Sequence, residues 1–231
     1  MYKTYVMHYT PLSERREFIL NQLASANIKD FKLVTEFDRE HLTQQDLSRY
    51  NKDHDFHKEV CEISRQPHGF AGLSPYNYQE MSLPSISLNL KHLHAFKEFL
   101  KQDLDFGLFL EDDCYFTGPS VAIDDIIKKA PNDWDVIFLG GAFDHGIITP
   151  SEVYGNREQG YILAAHPATN TTSSIIYNKR SVSEVIPYME SFCVPIDWQL
   201  NYAFHKAQLK VYHIYPYICS QGQFRSTAKD D

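Results

Sequence analysis

Apolar positions recur along the chain in two patterns, short apolar runs and stripes with helical spacing. The short runs predict strands at 2–8, 31–34, 106–110, 135–141, 173–177 and 210–215. The stripes predict helices after Pro11, over 86–101, from Ser181 onward and from Ile196 to Lys206. Strands that alternate with helices indicate an α/β domain, in which a mostly parallel sheet carries helices on both faces.

Two of the predicted helices have recognisable start signals. Thr10 is predicted to cap the first helix, with Pro11 in its first turn. Ser181 and Glu184 have the spacing of a capping box, which predicts that the later helix begins there.

The segment 38–81 differs from the rest of the chain because it is polar and punctuated by Gly and Pro. We predict a loop-rich insertion with one short helix, and we interpret the cluster "DHDFH" at 53–57 as a solvated loop. No internal repeat or long linker divides the sequence, so we expect a single domain over 1–231.

Charge and composition narrow the function classes. The net charge of −8 argues against a nucleic-acid backbone as partner, although a nucleotide remains possible because a divalent cation can carry its phosphates. The four cysteines form no C-x-x-C pair, so we expect ordinary thiols in a reducing compartment. The N-terminus lacks a signal-peptide pattern and no apolar run approaches the ~20 residues that span a bilayer. We therefore expect a cytoplasmic protein with at most peripheral membrane contact.

The stretch "FGLFLEDDCYF" runs from a buried strand into three consecutive carboxylates, Glu111, Asp112 and Asp113. One interpretation is a solvated loop whose acids cap the next element or pair with surface lysines. The other is a site for a hard divalent cation, which takes oxygen ligands and keeps positions open for phosphate. In open α/β sheets ligands bind beyond the carboxyl ends of strands, and this cluster lies at such an end.

Several blocks of the chain resemble glycosyltransferase family 25, the lipooligosaccharide and collagen galactosyltransferase type. They are "VMHYTPLSERREFILNQL", "SISLNLKHLHAFKEFL", "FGLFLEDDCYF", "WDVIFLGG", "TTSSIIYNKRSVSEVI" and "PIDWQLNYAF". The resemblance implies a GT-A-like, Rossmann-like single domain, a UDP-galactose or UDP-glucose type donor, a glycan acceptor and a Mn²⁺ or Mg²⁺ ion. The chain departs from the family at Met7-His8-Tyr9, Ser87-Leu88 and Lys91, where Ile-Asn-Leu, Gly-Cys and Ser are usual.

The resemblance also implies roles for individual residues near the acidic cluster. Asp113 would ligate the metal, while Glu111 and Asp112 would position the metal shell and the donor. The remaining residues that would bind the donor are His8, Tyr9, Thr10, Arg15, Lys91 and His92. For Arg15 a solvated helix surface is the alternative, and for His92 a core histidine.

Two further residues have proposed roles with open alternatives. Asp197 is the candidate general base of an inverting transfer, although an acid in the first turn of a helix is favoured by the dipole regardless of function. His213 is the candidate second metal ligand, or else a core histidine of the last strand. Downstream of His213, Gln221, Arg225 and Ser226 are candidates for covering the diphosphate.

Acceptor specificity is expected to reside in the insertion, which the family does not predict. The leading hypothesis is an inverting, metal-dependent glycosyltransferase. One alternative is a catalytically silent relative that binds a nucleotide-sugar or a glycan. Another is an unrelated Mg²⁺-dependent phosphate enzyme with a convergent acidic cluster.

Overall fold

A computed structural model describes residues 1–64, 80–117, 123–140, 153–154, 160–164, 168–169, 171–222 and 224. The strands in these ranges are β1 Tyr2–Met7, β2 Phe31–Val34, β3 Phe106–Glu111, β4 Cys114–Phe116, β5 Val136–Phe138, β6 Val153–Tyr154, β7 Tyr161–Ala164, β8 Ser174–Asn178, β9 Val211–Ile214 and β10 Cys219–Gln221. The α-helices are α1 Ser13–Ser25, α2 Gln44–Leu47, α3 His54–Ser64, α4 Leu83–Leu100, α5 Ile123–Lys129, α6 Lys179–Met189 and α7 Ile196–Lys206.

The described strands form an eight-stranded sheet in the order β2-β1-β3-β8-β5-β9-β7-β6, and β4 pairs with β10 in a separate two-stranded sheet. In the large sheet only β7 and β8 run against the other strands, so the prediction of a mostly parallel sheet is confirmed. Because β8 lies between β3 and β5, it separates two groups of parallel strands.

The two faces of the sheet carry separate hydrophobic cores, because successive side chains of a strand point to opposite faces. On one face Phe109 of β3 packs with Phe96 of α4 and with residues of α6 and α7. On the other face Leu108 and Leu110 pack with Ile19 of α1 and with the start of α5. Helices therefore cover both faces, as predicted, and each fully buried Phe or Leu stabilises the fold by about 1.5–3 kcal/mol.

The helix starts differ from the local predictions. The residue before α1 is Leu12, which makes no side-chain cap among the described residues, and Thr10 lies in the preceding turn. The start of α6 is capped by Asn178, whose side chain accepts from the Ser181 backbone N–H. The Ser181 hydroxyl instead donates to the Asp135 carbonyl, so the capping-box prediction is wrong. Burial against β5 decides the position of that serine, and a sequence motif cannot report such a contact.

The first part of the segment 38–81 is more helical than predicted. A 3-10 turn at Arg39–His41, α2 and α3 occupy much of 39–64, while 65–79 lie outside the described residues. The solvated-loop interpretation of 53–57 is wrong, since α3 begins at His54 and His57 is buried. Val60 and Cys61 of α3 pack against Tyr202 of α7, which gives the helix an apolar face to bury. Within the described ranges, no helix is both long and apolar enough to cross a membrane.

Candidate functional site

The carboxyl ends of β1, β2 and β3 meet at one edge of the sheet. Met7 pairs with both Val34 and Glu111 in parallel register, so His8 and Asp112 leave the sheet side by side. The antiparallel β8 begins at the same edge, because Ser174 pairs with Leu110. The three neighbouring strand ends and the start of β8 therefore lie at one edge of the sheet, and the ends of β1 and β3 border one space.

A cavity of about 260 Å³ occupies this space. The predicted site residues that line it are His8, Tyr9, Arg15, Lys91, Glu111, Asp112 and Asp113. Gln221 and Gly222, at the end of β10, close another side together with Phe224. The structure thus brings these predicted residues together around one cavity, whereas Arg225 and Ser226 lie outside the described residues.

Asp112 is held by three groups of the protein. One carboxylate oxygen faces Nδ1 of His8 at 2.8 Å and accepts from the Tyr9 backbone N–H at 3.4 Å. The other accepts from the Arg15 guanidinium at 2.9 Å. Both oxygens are therefore engaged, and Asp112 positions its neighbours rather than offering an open ligand atom. The surface alternative for Arg15 is wrong, because this side chain is buried in the cluster.

Asp113 shares the same guanidinium but uses only one oxygen for it. Its Oδ2 accepts from Arg15 at 3.4 Å, while its Oδ1 is enclosed and has no hydrogen-bond partner among the described residues. Burial raises the pKa of Asp113 to about 6, against the opposing effect of Arg15 and with a further rise from Asp112. An enclosed carboxylate oxygen without a donor is costly in a protein alone, and a cation in the cavity would satisfy it.

Glu111 and Asp197 are the other two predicted acids of the site. The Thr172 hydroxyl donates to Glu111. Burial, then repulsion from Asp113, raises the pKa of Glu111 to about 8, and Asp197 adds to the rise. Asp197, half-buried in the first turn of α7, accepts from the Trp198 N–H at 3.0 Å, and burial raises its pKa to about 7. Asp197 therefore acts electrostatically on the cluster, although it is not among the described residues that line the cavity.

Lys91 lines the cavity, yet its ammonium group is bound by the protein itself. It donates to Asp38 Oδ1 at 2.7 Å and to the Glu36 carbonyl at 2.8 Å. The other oxygen of Asp38 accepts from the Thr10 N–H at 3.3 Å. Burial lowers the pKa of Lys91, although Asp38 opposes that shift. Lys91 thus fixes the corner after β2 and the turn after β1.

Arg39 is a cavity residue that the sequence analysis missed. Its guanidinium lies over the Tyr9 ring, 4.9 Å from the ring centroid, and its Nε donates to the Tyr9 hydroxyl at 3.2 Å. The Tyr9 hydroxyl in turn donates to Glu40. The signal was present in the charged run Asp38-Arg39-Glu40 directly after a strand, but it fell inside the segment assigned to the insertion.

Besides Asp197, the predicted site residues that are not among the described residues lining the cavity are Thr10, His92 and His213. His92 is fully buried in α4 beside Phe96, and burial lowers its pKa to about 3. His213 stacks on Phe138 at 4.8 Å. Its Nε2 lies 2.8 Å from the Ala168 carbonyl and its Nδ1 lies 3.4 Å from the Tyr217 hydroxyl. In the structure both rings are therefore buried core histidines. The donor-binding role of His92 and the metal-ligand role of His213 stay predictions.

The residues that line the cavity offer limited ligation for a metal ion. Across the described ranges, no group of three or more histidine, cysteine, aspartate or glutamate side chains is arranged to hold one. The enclosed Oδ1 of Asp113 does fit a cation that takes its other ligands from a bound phosphate and water, as Mg²⁺ and Mn²⁺ sites often do. The donor set thus fits a cation shared between protein and substrate.

Comparisons with known proteins give little further guidance. No protein-family model and no curated protein matches the chain. The chain is similar to a solved structure, A197 from STIV, with 9% sequence identity and a TM-score of 0.45. That likeness covers 97% of this chain and 86% of that chain. A likeness of this size carries no argument about function, so the chemistry of the cavity has to carry it.

Proposed function

We propose that the protein is an inverting, metal-dependent glycosyltransferase with a GT-A-like domain. It moves a hexose from a UDP-galactose or UDP-glucose type donor to a hydroxyl of a glycan acceptor. The observation that carries the proposal is Asp113, which lines the cavity and whose enclosed Oδ1 has no hydrogen-bond partner among the described residues. The resemblance in the acidic cluster and its flanking blocks supplies the reaction class.

The charge balance of the cavity supports a cation. Asp112 and Asp113 share one guanidinium, and Glu111 has a hydroxyl as its partner in the described structure. The raised pKa values of Glu111 and Asp113 express this shortage of positive charge, because both burial and repulsion disfavour their ionised forms. When bound, a Mn²⁺ or Mg²⁺ ion supplies the Lewis acid that neutralises charge on the leaving diphosphate.

The chain's own residues divide the remaining tasks. Asp113 holds the cation through Oδ1, while Asp112 and Arg15 fix the orientation of that carboxylate. Tyr9, braced by Arg39, offers a ring face for the donor's base. Asp197 takes the proton from the acceptor hydroxyl, and a pKa of about 7 suits a general base at neutral pH. These tasks together require a donor at the strand ends and an acceptor towards α7.

A second candidate is a silent relative that binds a nucleotide-sugar without transfer. The observation that favours it is the position of Asp197, which is not among the described residues lining the cavity. In that case the cluster would hold metal and donor, and Asp197 would only interact favourably with the dipole of α7.

One experiment separates the candidates. The protein is incubated with Mn²⁺ and a panel of nucleotide-sugars, and release of the nucleoside diphosphate is measured beside Asp113→Asn and an exposed control, Asp133→Asn. Release from one UDP-hexose that requires metal and Asp113 fits transfer. Binding by calorimetry without release supports the silent relative, and release that is indifferent to the sugar contradicts both.

A further inference from the structure

His8 stands at the carboxyl end of β1 with 1% of its surface exposed, and it lines the cavity. Its Nδ1 lies 2.8 Å from Oδ2 of Asp112. Because that carboxylate also accepts from Arg15 and from the Tyr9 N–H, it acts as the acceptor, and Nδ1 of His8 donates. The ring is thereby oriented with Nε2 as its remaining polar atom.

Nε2 of His8 has no hydrogen-bond partner in the described part of the chain, and solvent does not reach it. A buried polar nitrogen is seldom left without a partner, so such an atom at a cavity wall calls for an explanation. A histidine that donates one ring N–H to a carboxylate and presents the other nitrogen is the usual arrangement of a metal-ligating imidazole. His8 and Asp112 have this arrangement.

Asp113 lines the same cavity, and its Oδ1 is likewise enclosed and without a hydrogen-bond partner among the described residues. Arg15 contacts the other oxygen of this carboxylate, Oδ2, at 3.4 Å. His8 and Asp113 are also linked through one network, because Asp112 binds His8 with one oxygen and Arg15 with the other.

We propose that Nε2 of His8 and Oδ1 of Asp113 are the two protein ligands of the divalent cation, with Asp112 as the positioning residue that orients His8. The proposal rests on the metal dependence of the proposed function, and it assigns to His8 the ligand role that the sequence predicted for His213. Two protein ligands would leave other positions for the diphosphate of the donor and for water.

The identity of the ligands has a consequence for metal choice. Carboxylate and water oxygens suit Mg²⁺ and Ca²⁺, whereas an imidazole nitrogen suits transition metals better. A site with one imidazole and one carboxylate therefore favours Mn²⁺ over Mg²⁺, and this preference depends on His8.

The test uses the full chain with Mn²⁺ and UDP as probes, and pulsed electron paramagnetic resonance to detect nitrogen coupled to bound Mn²⁺. His8→Asn is the decisive variant, because the asparagine amide can replace Nδ1 as donor to Asp112 while the ligand nitrogen is removed. Asp112→Asn weakens the orientation of His8 but keeps the ring. His213→Asn tests the competing ligand, and His205→Asn, at the exposed end of α7, is the matched control.

The expected result is a nitrogen signal in the unmodified protein that His8→Asn removes and that His213→Asn and His205→Asn retain. We expect His8→Asn and Asp112→Asn to weaken Mn²⁺ binding by about 10–100-fold, while Mg²⁺ binding to His8→Asn changes less. Thermal unfolding of each variant without metal checks that the fold is kept.

A nitrogen signal that persists in His8→Asn, or Asp113-dependent Mn²⁺ binding without any nitrogen signal, overturns the ligand assignment and leaves the proposed function standing. The proposed function is judged separately by sugar-dependent UDP release. If neither Mn²⁺ binding nor UDP release is observed, both proposals fail.

Discussion

Lys91 and Asp38 form an ion pair of 2.7 Å that is almost completely withdrawn from solvent. The resemblance placed this lysine near the donor, but its ammonium group also donates to two carbonyls of the corner after β2. Its immediate task is therefore to hold the 34–38 corner and, through Asp38, the turn at Thr10.

We expect Asp38→Ala to lower the free energy of unfolding by about 3–5 kcal/mol, because it leaves the Lys91 charge buried without its partner. The double variant Asp38→Ala with Lys91→Met should lose less than Asp38→Ala alone, since no charge then remains buried. Chemical denaturation of both variants measures the difference. A double variant at least as unstable as Asp38→Ala alone would contradict the prediction.

The acidic cluster predicts how stability depends on pH. The pKa of Glu111 is raised from 4.5 to about 8 and that of Asp197 from 3.8 to about 7, so the folded state binds their protons more tightly than the unfolded chain. Their contribution is complete at low pH and is lost as pH rises through these values. Below pH 6.5 the buried rings of His92 and His213, with lowered pKa values, act in the opposite direction.

Stability should therefore fall between pH 6.5 and 8 in the absence of metal. Glu111→Gln should flatten this slope, because it removes the group whose pKa lies highest in that range. The melting temperatures of both proteins across this pH range test the prediction. Mn²⁺ should raise the melting temperature of the unmodified protein more at pH 8 than at 6.5. An identical slope in the variant would assign the pH dependence to other groups.

Asp113→Asn should separate stability from function. Without metal, the melting temperature should stay equal or rise, because the variant removes a buried charge whose raised pKa shows that its ionised form is disfavoured. Loss of a residue that only hydrogen-bonds to a metal ligand typically costs about 10–100-fold in metal affinity or activity. Because Asp113 is proposed as a direct ligand, we expect Asp113→Asn to lower Mn²⁺-dependent UDP release by more than this. Calorimetry with Mn²⁺ and a coupled UDP assay check the two effects, and a loss of folded protein would place Asp113 in the fold instead.

Asp197→Asn should keep the binding of Mn²⁺ and UDP and lose transfer by about 10²–10⁴-fold, the range expected when a general base is removed. Its matched control is Asp133→Asn, an exposed acid of the α5–β5 connection. Turnover that is unchanged in Asp197→Asn would leave this residue with the helix-dipole role alone.

Gly140→Ala should disrupt the wall of the cavity that β10 provides. A Cβ at Gly140 would overlap the carbonyl group of Cys219, which is backbone and cannot rotate away. We expect a loss of about 1–3 kcal/mol in unfolding free energy, as overpacking typically costs, together with weaker UDP binding. Ser220→Ala, on the same short strand, is the control and should change neither measurement by more than about 0.5 kcal/mol.

The sequence predicted the framework of the fold because strands and helices have different apolar periods. The run 106–110 and the stripe from Ile86 to Leu100 correspond closely to β3 and α4. The rule that ligands bind at carboxyl strand ends singled out the acidic cluster, and the resemblance placed His8 near it. The parallel register of β1 with β3 brings His8 and Asp112 together in the structure. These features are local or follow from a general rule of topology.

What the sequence did not predict depends on contacts between distant segments. The engagement of Lys91 by Asp38 joins residues far apart in the chain, so no local pattern reports it. The same holds for His8, whose open nitrogen is defined only once Asp112 has taken the other one. Arg39 was missed because the segment after β2 was treated as insertion, although its first residues brace the cavity.

The antiparallel placement of β8 has a consequence for synthesis of the chain. The half of the site built by β1, β2 and β3 is complete when Glu111 has emerged, yet the other edge of β3 finds its partner only when Ser174–Asn178 are made. Until then the apolar edge around Leu108 and Leu110 has unpaired backbone groups, and unpaired edges invite association between chains. A nascent chain paused between these two points would be the species that most needs a chaperone.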